Sequence, residues 1–168
     1  MPKKKILVVL GGTSREREVS LESAKSCITA LKKTGYQVSK FDPKFLPISE
    51  IGKTDADIIF NALHGKGGED GRVQSFFEYF RIPYTHSGVL SSMIVMNKYF
   101  SKQLFIKNRI RTPNYFFLNR KDYLSVNLMK KIRKNKLNFP IVIKPNDEGS
   151  SVGVKICKNL NSLKTQFK

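Results

Sequence analysis

The run KILVVL at residues 5–10, followed at once by two glycines and then by SREREVSLESAKS, is the feature that most constrains this chain. Five successive apolar residues cannot alternate a dry face with a wet one. The strand they form must therefore be covered on both sides, as in a parallel sheet. Beyond the glycines, Val19, Ala24, Cys27, Ile28 and Leu31 fall on one helical face, and Gly35 is placed to end that helix. Residues 36–41 and 56–63 (ADIIFNAL) read as a second and third strand, residues 72–80 as a short helix, and IPYTHSG as a short strand and turn. Strand, helix and strand in alternation predict an α/β fold built on an open parallel sheet with right-handed crossovers.

Near Asn97 the character changes. NKYFSKQLFIKN predicts a basic amphipathic helix, TPNYFFL a strand, and residues 121–136 a Lys-rich helix. FPIVIKP and VGVKICK then predict two strands around a Gly/Ser loop, and LNSLKTQF the start of a last helix. A boundary is placed there, giving domains 1–97 and 98–168. Charge shifts at the same point: 14 Lys+Arg stand against 10 Asp+Glu up to Asn97, but 17 against 3 from Lys98 onward, within a net charge of +18.

That basic half suits the phosphates of a nucleotide, a polyanionic partner, or only a lysine-rich surface. As a nucleic-acid module it is poorly equipped, because Phe100, Phe105, Tyr115 and Phe117 fall at core-like spacing and form no stacking platform. Apolar residues at 40% suffice for a packed core, and 168 residues for one domain, or one small domain with part of another. No apolar run approaches the ~18–20 residues of a membrane span. ILVVL is also shorter than the core of a signal peptide, so a cytoplasmic protein is expected. Cys27 and Cys157 lack the paired spacing of a zinc site and are expected to be inert.

Three segments can carry chemistry. GGTSREREVS (11–20) joins a strand end to a helix start, where ligands of open α/β sheets bind. Glu16 and Glu18 would repel a phosphate there and suit a cationic group such as an amine; the plainer alternative is that Ser14 caps the helix and the acids favour its first turn. NALHGKGGEDGR (61–72) sets His64 at a strand end among glycines that admit a ligand closely, with Glu69, Asp70 and Arg72 readable as helix caps. KPNDEGSSVGV (144–154) offers backbone amides, the hydroxyls of Ser150 and Ser151, and the Lys144 ammonium to phosphate oxygens. It is no Walker A loop, and GSSVG also fits an ordinary hairpin turn.

Taken in order, GGTSREREVSLESA, NALHGKGGEDG, IPYTHSGVLSS, the lysine of MNKYFSK and VIKPNDEGSSVGV resemble the D-alanine–D-alanine ligases of the ATP-grasp superfamily, from Lys5 onward. The resemblance implies an open-sheet N-terminal (pre-ATP-grasp) domain followed by part of an α+β ATP-grasp domain. It implies an enzyme that phosphorylates one D-alanine with ATP and joins a second to it for peptidoglycan. Glu16 would hold the ammonium of the first D-alanine and His64 would line that site. Ser150 would form a link through Glu16 that orients substrates and helps the second amine lose its proton. Lys98 and Lys144 would contact ATP phosphates, with Gly149, Ser150, Ser151, Val152 and Gly153 closing over them. D-alanine and ATP are the expected partners, with a homodimer and neither membrane nor nucleic acid.

Arg15, His86 and Asn97 depart from the family pattern without removing a named catalytic group. Family members run to about twice this length, and their ligands for Mg²⁺ (or Mn²⁺) lie in the second half. No metal ligand is therefore assigned to this chain, which is expected to be a fragment inactive alone. Related ligases making D-alanyl-D-lactate or D-alanyl-D-serine share these segments.

Overall fold

The structure is a computed structural model that describes residues 3–119, 121 and 126–166. It comprises two compact units, Met1–Asn97 and Lys98–Lys168. The first holds β1 (Lys5–Val9), α1 (Arg17–Lys33), β2 (Gln37–Phe41), a 3₁₀ helix (Ile48–Lys53), β3 (Ile58–Asn61), α2 (Arg72–Tyr79) and α3 (Val89–Met96). The three strands are parallel in the order β2-β1-β3, with Val9 opposite Phe41 on one side and Asn61 on the other.

The apolar run of β1 is divided by its own pleat. Leu7 and Val9 face a core completed by Phe41, Ile51, Ile59, Leu63, Val73 and Phe77, whereas Ile6, Val8 and Leu10 face Ala24, Ile28 and Ala62. Helix α1 thus covers one face of the sheet and α2 the other, which is why every position of the strand after the exposed Lys5 is apolar and buried. Gly35, at φ +92°, turns the chain out of α1, and its amide donates to the Lys32 carbonyl at 3.0 Å.

Two expectations for this unit change. Val19 is 45% exposed, and Ser20 is buried in its place. The Ser20 hydroxyl donates to the Ala62 carbonyl at 2.6 Å and accepts from the Gly11 amide at 2.8 Å, so it bolts α1 to the ends of two strands. IPYTHSG supplies no strand, only an isolated parallel bridge between Tyr84 and Ile59; Pro83, with no amide hydrogen, stands where a ladder would continue. Helix α3, VLSSMIVM, lacks the 3.6-residue alternation that would have marked it, and Leu90, Met93 and Val95 are exposed.

The second unit contains α4 (Lys98–Lys107), α5 (Leu128–Lys134), β4 (Ile141–Ile143), β5 (Lys155–Cys157) and α6 (Leu160–Thr165). Antiparallel β4 and β5 form a hairpin, and Leu128, Ile132, Ile141, Cys157 and Leu163 make the core. The fold is therefore α/β with a parallel sheet, followed by a smaller α+β unit. TPNYFFL (112–118) is not a strand, because among the described residues no strand pairs with it; Phe116 and Leu118 pack on the core instead. The Lys-rich helix spans only Leu128–Lys134 of its expected range, started by the Asn127 side chain, which accepts from the Lys130 amide. Residues 122–125 of that range lie outside the described residues. No described helix is long and apolar enough to cross a membrane.

Candidate functional site

Since β1 and β3 are parallel neighbours, the loops leaving their carboxyl ends emerge on one edge of the sheet. Those loops are the first two chemical segments, and they meet. Glu16, the residue preceding α1, is only 2% exposed. It lies against Gly65: a Cβ added there would stand 2.5 Å from Glu16 Oε1, and Gly65 has φ +69°. Glycine is thus required twice over at position 65, for backbone conformation and for room beside the carboxylate.

Ser14 connects the loops. Its hydroxyl donates to the His64 carbonyl at 2.8 Å and accepts from the Glu16 amide at 3.1 Å. The His64 ring lies between Ser23 Oγ, 3.3 Å from Nε2, and Glu69 Oε1, 3.5 Å from Nδ1. Asp70 and Glu69, read in the sequence as caps, instead hold the loop, accepting from the amides of Gly67 and Gly65 at 2.9 and 2.8 Å; no side chain caps α2 at Gly71. A cavity of about 240 Å³ adjoins these loops, with Gly12, Ser14, Leu63, His64, Gly68 and Phe76 among its walls.

Sequence reasoning missed Asp42. It follows β2, receives Arg17 Nη1 and Nη2 at 3.1 and 2.8 Å, and accepts the Gly12 amide at 2.9 Å, while Arg17 Nη1 also donates to the Gly12 carbonyl. This fork fixes the residue next to Glu16 to the glycine turn. Burial pushes the Asp42 carboxyl up, but the Arg17 hydrogen bond and the amides of Lys44 and Gly12 prevail and hold it below its usual range. A depressed carboxyl stabilises the fold above its unfolded pKa and loses that contribution as pH falls through the folded value. Asp42→Asn is therefore expected to remove part of the acid sensitivity, read as urea midpoints that change less between about pH 5 and pH 2 than those of the wild type. Midpoint curves of the same slope against pH would refute the assignment. Its sequence signal was slight, an Asp directly after a strand.

In the second unit the Gly/Ser segment links β4 to β5. Ser150 and Ser151 both have positive φ, +41° and +62°, and Gly153 has +70°. Two adjacent L-residues in the left-handed region are uncommon, and such strain gathers at ligand-binding loops. Ser150, Ser151 and Lys144 are exposed, and Gly149 and Val152 half-buried. The Val152 amide donates within the loop to the Gly149 carbonyl at 2.9 Å, so in this conformation it is not turned outward as the sequence reading supposed. Lys98 opens α4, takes the Asn146 carbonyl on its amide at 2.9 Å and directs Nζ to the carbonyl of Glu148. Thus Glu16 and His64 converge in the first unit, and Lys98 joins the 144–153 loop in the second.

The chain matches the family model described as D-ala D-ala ligase N-terminus over residues 44–87 and the one described as D-ala D-ala ligase C-terminus over residues 104–168. It is 49% identical over 161 residues to the D-alanine–D-alanine ligase of Pelagibacter ubique, covering 96% of this chain and 52% of that protein. The crystal structure of the Bacillus anthracis D-alanine–D-alanine ligase complexed with ATP superposes with a TM-score of 0.79 at 34% identity, over 99% of this chain and 52% of that one. The D-Ala:D-Ser ligase VanG of Enterococcus faecalis gives 0.77 at 27% identity, over 99% and 59%. The chain spans about half the length of the curated relatives it matches.

Proposed function

The chain belongs to the D-alanine–D-alanine ligase family, and from that we propose that it supplies the amino-acid-binding part and a share of the nucleotide-binding part of a cytoplasmic, homodimeric ligase of peptidoglycan synthesis. The observation that carries this reading is Glu16, a carboxylate at the carboxyl edge of a parallel sheet, 2% exposed, with a glycine opposite it. The negative charge of a carboxylate at that edge, beside a glycine that leaves room for close approach, suits the ammonium of an amino acid.

In the proposed reaction the carboxylate oxygen of the first D-alanine attacks the terminal phosphorus of ATP, and ADP leaves. The amine of the second D-alanine then attacks the acyl carbon, phosphate leaves with the former carboxylate oxygen, and the amine gives up a proton. Glu16 holds the ammonium of the first D-alanine beside His64, fixing its carboxylate for the transfer. Ser150 orients the substrates and helps take up the amine's proton. Lys98 and Lys144 offset phosphate charge, and the Gly149–Gly153 loop folds over those oxygens, including Ser151 and Val152; the paired left-handed serines and the bond from Lys98 to that loop fit a phosphate. Mg²⁺, when bound with ATP, supplies further charge neutralisation. The +14 excess from Lys98 onward serves the nucleotide in this reading rather than a nucleic acid.

The likeness to a D-Ala:D-Ser ligase keeps a second reading open for the acceptor alone. One assay addresses both. The whole protein with ATP and D-alanine is expected to release ADP and phosphate and to form D-alanyl-D-alanine, detected by mass. D-Serine or D-lactate added in equal amount is expected to be incorporated less. ADP release that does not depend on D-alanine would refute the ligase, and preferential D-serine or D-lactate incorporation would change its acceptor.

A further inference from the structure

Among the described residues, His, Cys, Asp and Glu side chains come within metal-binding reach as a group of three in one place: Glu16, His64 and Glu69, whose ligand atoms all lie within 4.8 Å of one another. The sequence offered no such set, since the three are separated by 48 and five positions and none has metal-site spacing. We infer that this cluster binds a divalent transition ion of the Zn²⁺ class, and that such an ion excludes the substrate ammonium from Glu16.

Three features support the site. His64 Nδ1 and Glu69 Oε1 are 3.5 Å apart, close to the ~3.4 Å edge of a tetrahedron with ~2.1 Å bonds. Their directions are set by the fold. The Gly65 amide engages Glu69 Oε2 at 2.8 Å and so aims Oε1 at the ring, and Ser23 beside Nε2 leaves Nδ1 facing Glu69. Finally, Glu16 is buried while the side chains of His64 and Glu69 are 29% and 45% exposed, which gives an anchored base and an open approach.

One imidazole and two carboxylates suit Zn²⁺, with water completing the shell, whereas Mg²⁺ and Ca²⁺ favour all-oxygen sets. Two carboxylates also balance a divalent charge. The competition with ammonium rests on the proposed role of Glu16; the metal site does not.

Titration calorimetry of the protein with zinc chloride is expected to show one saturable site, unaffected by excess Mg²⁺ and weakened by at least about tenfold in both His64→Asn and Glu69→Gln. Glu69→Gln alters a half-exposed side chain and retains an oxygen for the Gly65 amide, so loss of folding does not confound it. Co²⁺ in place of zinc is expected to give visible ligand-field bands without the intense near-ultraviolet thiolate absorption that Cys27 or Cys157 would add. Wild-type affinity in both variants, or thiolate absorption, overturns the inference. D-Alanine is expected to weaken zinc binding. Zinc lost in the variants but indifferent to D-alanine would keep the metal site and refute the ammonium role of Glu16 instead.

Discussion

Glu16→Gln is expected to lower kcat/KM for D-alanine by about 10²–10³ in the whole protein, with KM for ATP little changed. Removing one partner of a buried, hydrogen-bonded charge pair costs about 2–5 kcal/mol, and each ~1.4 kcal/mol is a factor of ten. Glutamine keeps the shape and one oxygen, so the packing against Gly65 should survive; what is lost is the charge proposed to hold the ammonium. Coupled ADP release at varied D-alanine, together with a thermal melt, measures both. An unchanged kcat/KM for D-alanine, or an equal loss of kcat/KM for D-alanine and ATP, would remove Glu16 from the substrate site.

Phe77→Ala is expected to destabilise the first unit by about 3–5 kcal/mol, the cost of truncating a fully buried aromatic residue. Phe77 is 0% exposed, sits in the core between β1, β3 and the 3₁₀ helix, and sets its ring centroid 5.2 Å from that of Tyr84, tilted by 56°. Against a total of ~5–15 kcal/mol, that loss leaves the sheet edge carrying Glu16 and His64 marginally folded near 37 °C. Urea denaturation followed by circular dichroism tests it. A loss below about 1 kcal/mol would mean that the core closes over the gap far better than this packing allows.

Much of this was legible in the sequence. The strand of residues 5–10, the helix ending at Gly35, the strand ADIIFNAL and the hairpin around GSSVG are all present, shortened by one to several residues at their ends. Each is encoded by signals within a few residues, an unbroken apolar run or a glycine where φ must be positive, and such signals need no distant partner. Errors fell where a partner was needed. TPNYFFL has strand composition, but a strand exists only when another pairs with it. Val19 has the right spacing for the core, yet the bonds made by Ser20 to Gly11 and Ala62 set the rotation of α1.

For the candidate site, the structure places Glu16 and His64 in the loops that follow β1 and β3, where the sequence puts them, and the family resemblance implies roles for them. Their convergence was decided elsewhere. Val9 pairs with Asn61, so the two parallel strands finish level and deliver residues 11–16 and 62–71 to one edge. Glu69, readable in sequence only as a cap, is brought beside His64 by that same loop, and Asp42 reaches Arg17 from β2 on the other side of β1. By itself the sequence determined the elements with strong local signals, the glycine turns and the family, because these depend on local conformational preference and on ordered motifs. Which carboxylate faces which base is a matter of strand order and register, and those are settled only when the sheet assembles and buries both of its faces.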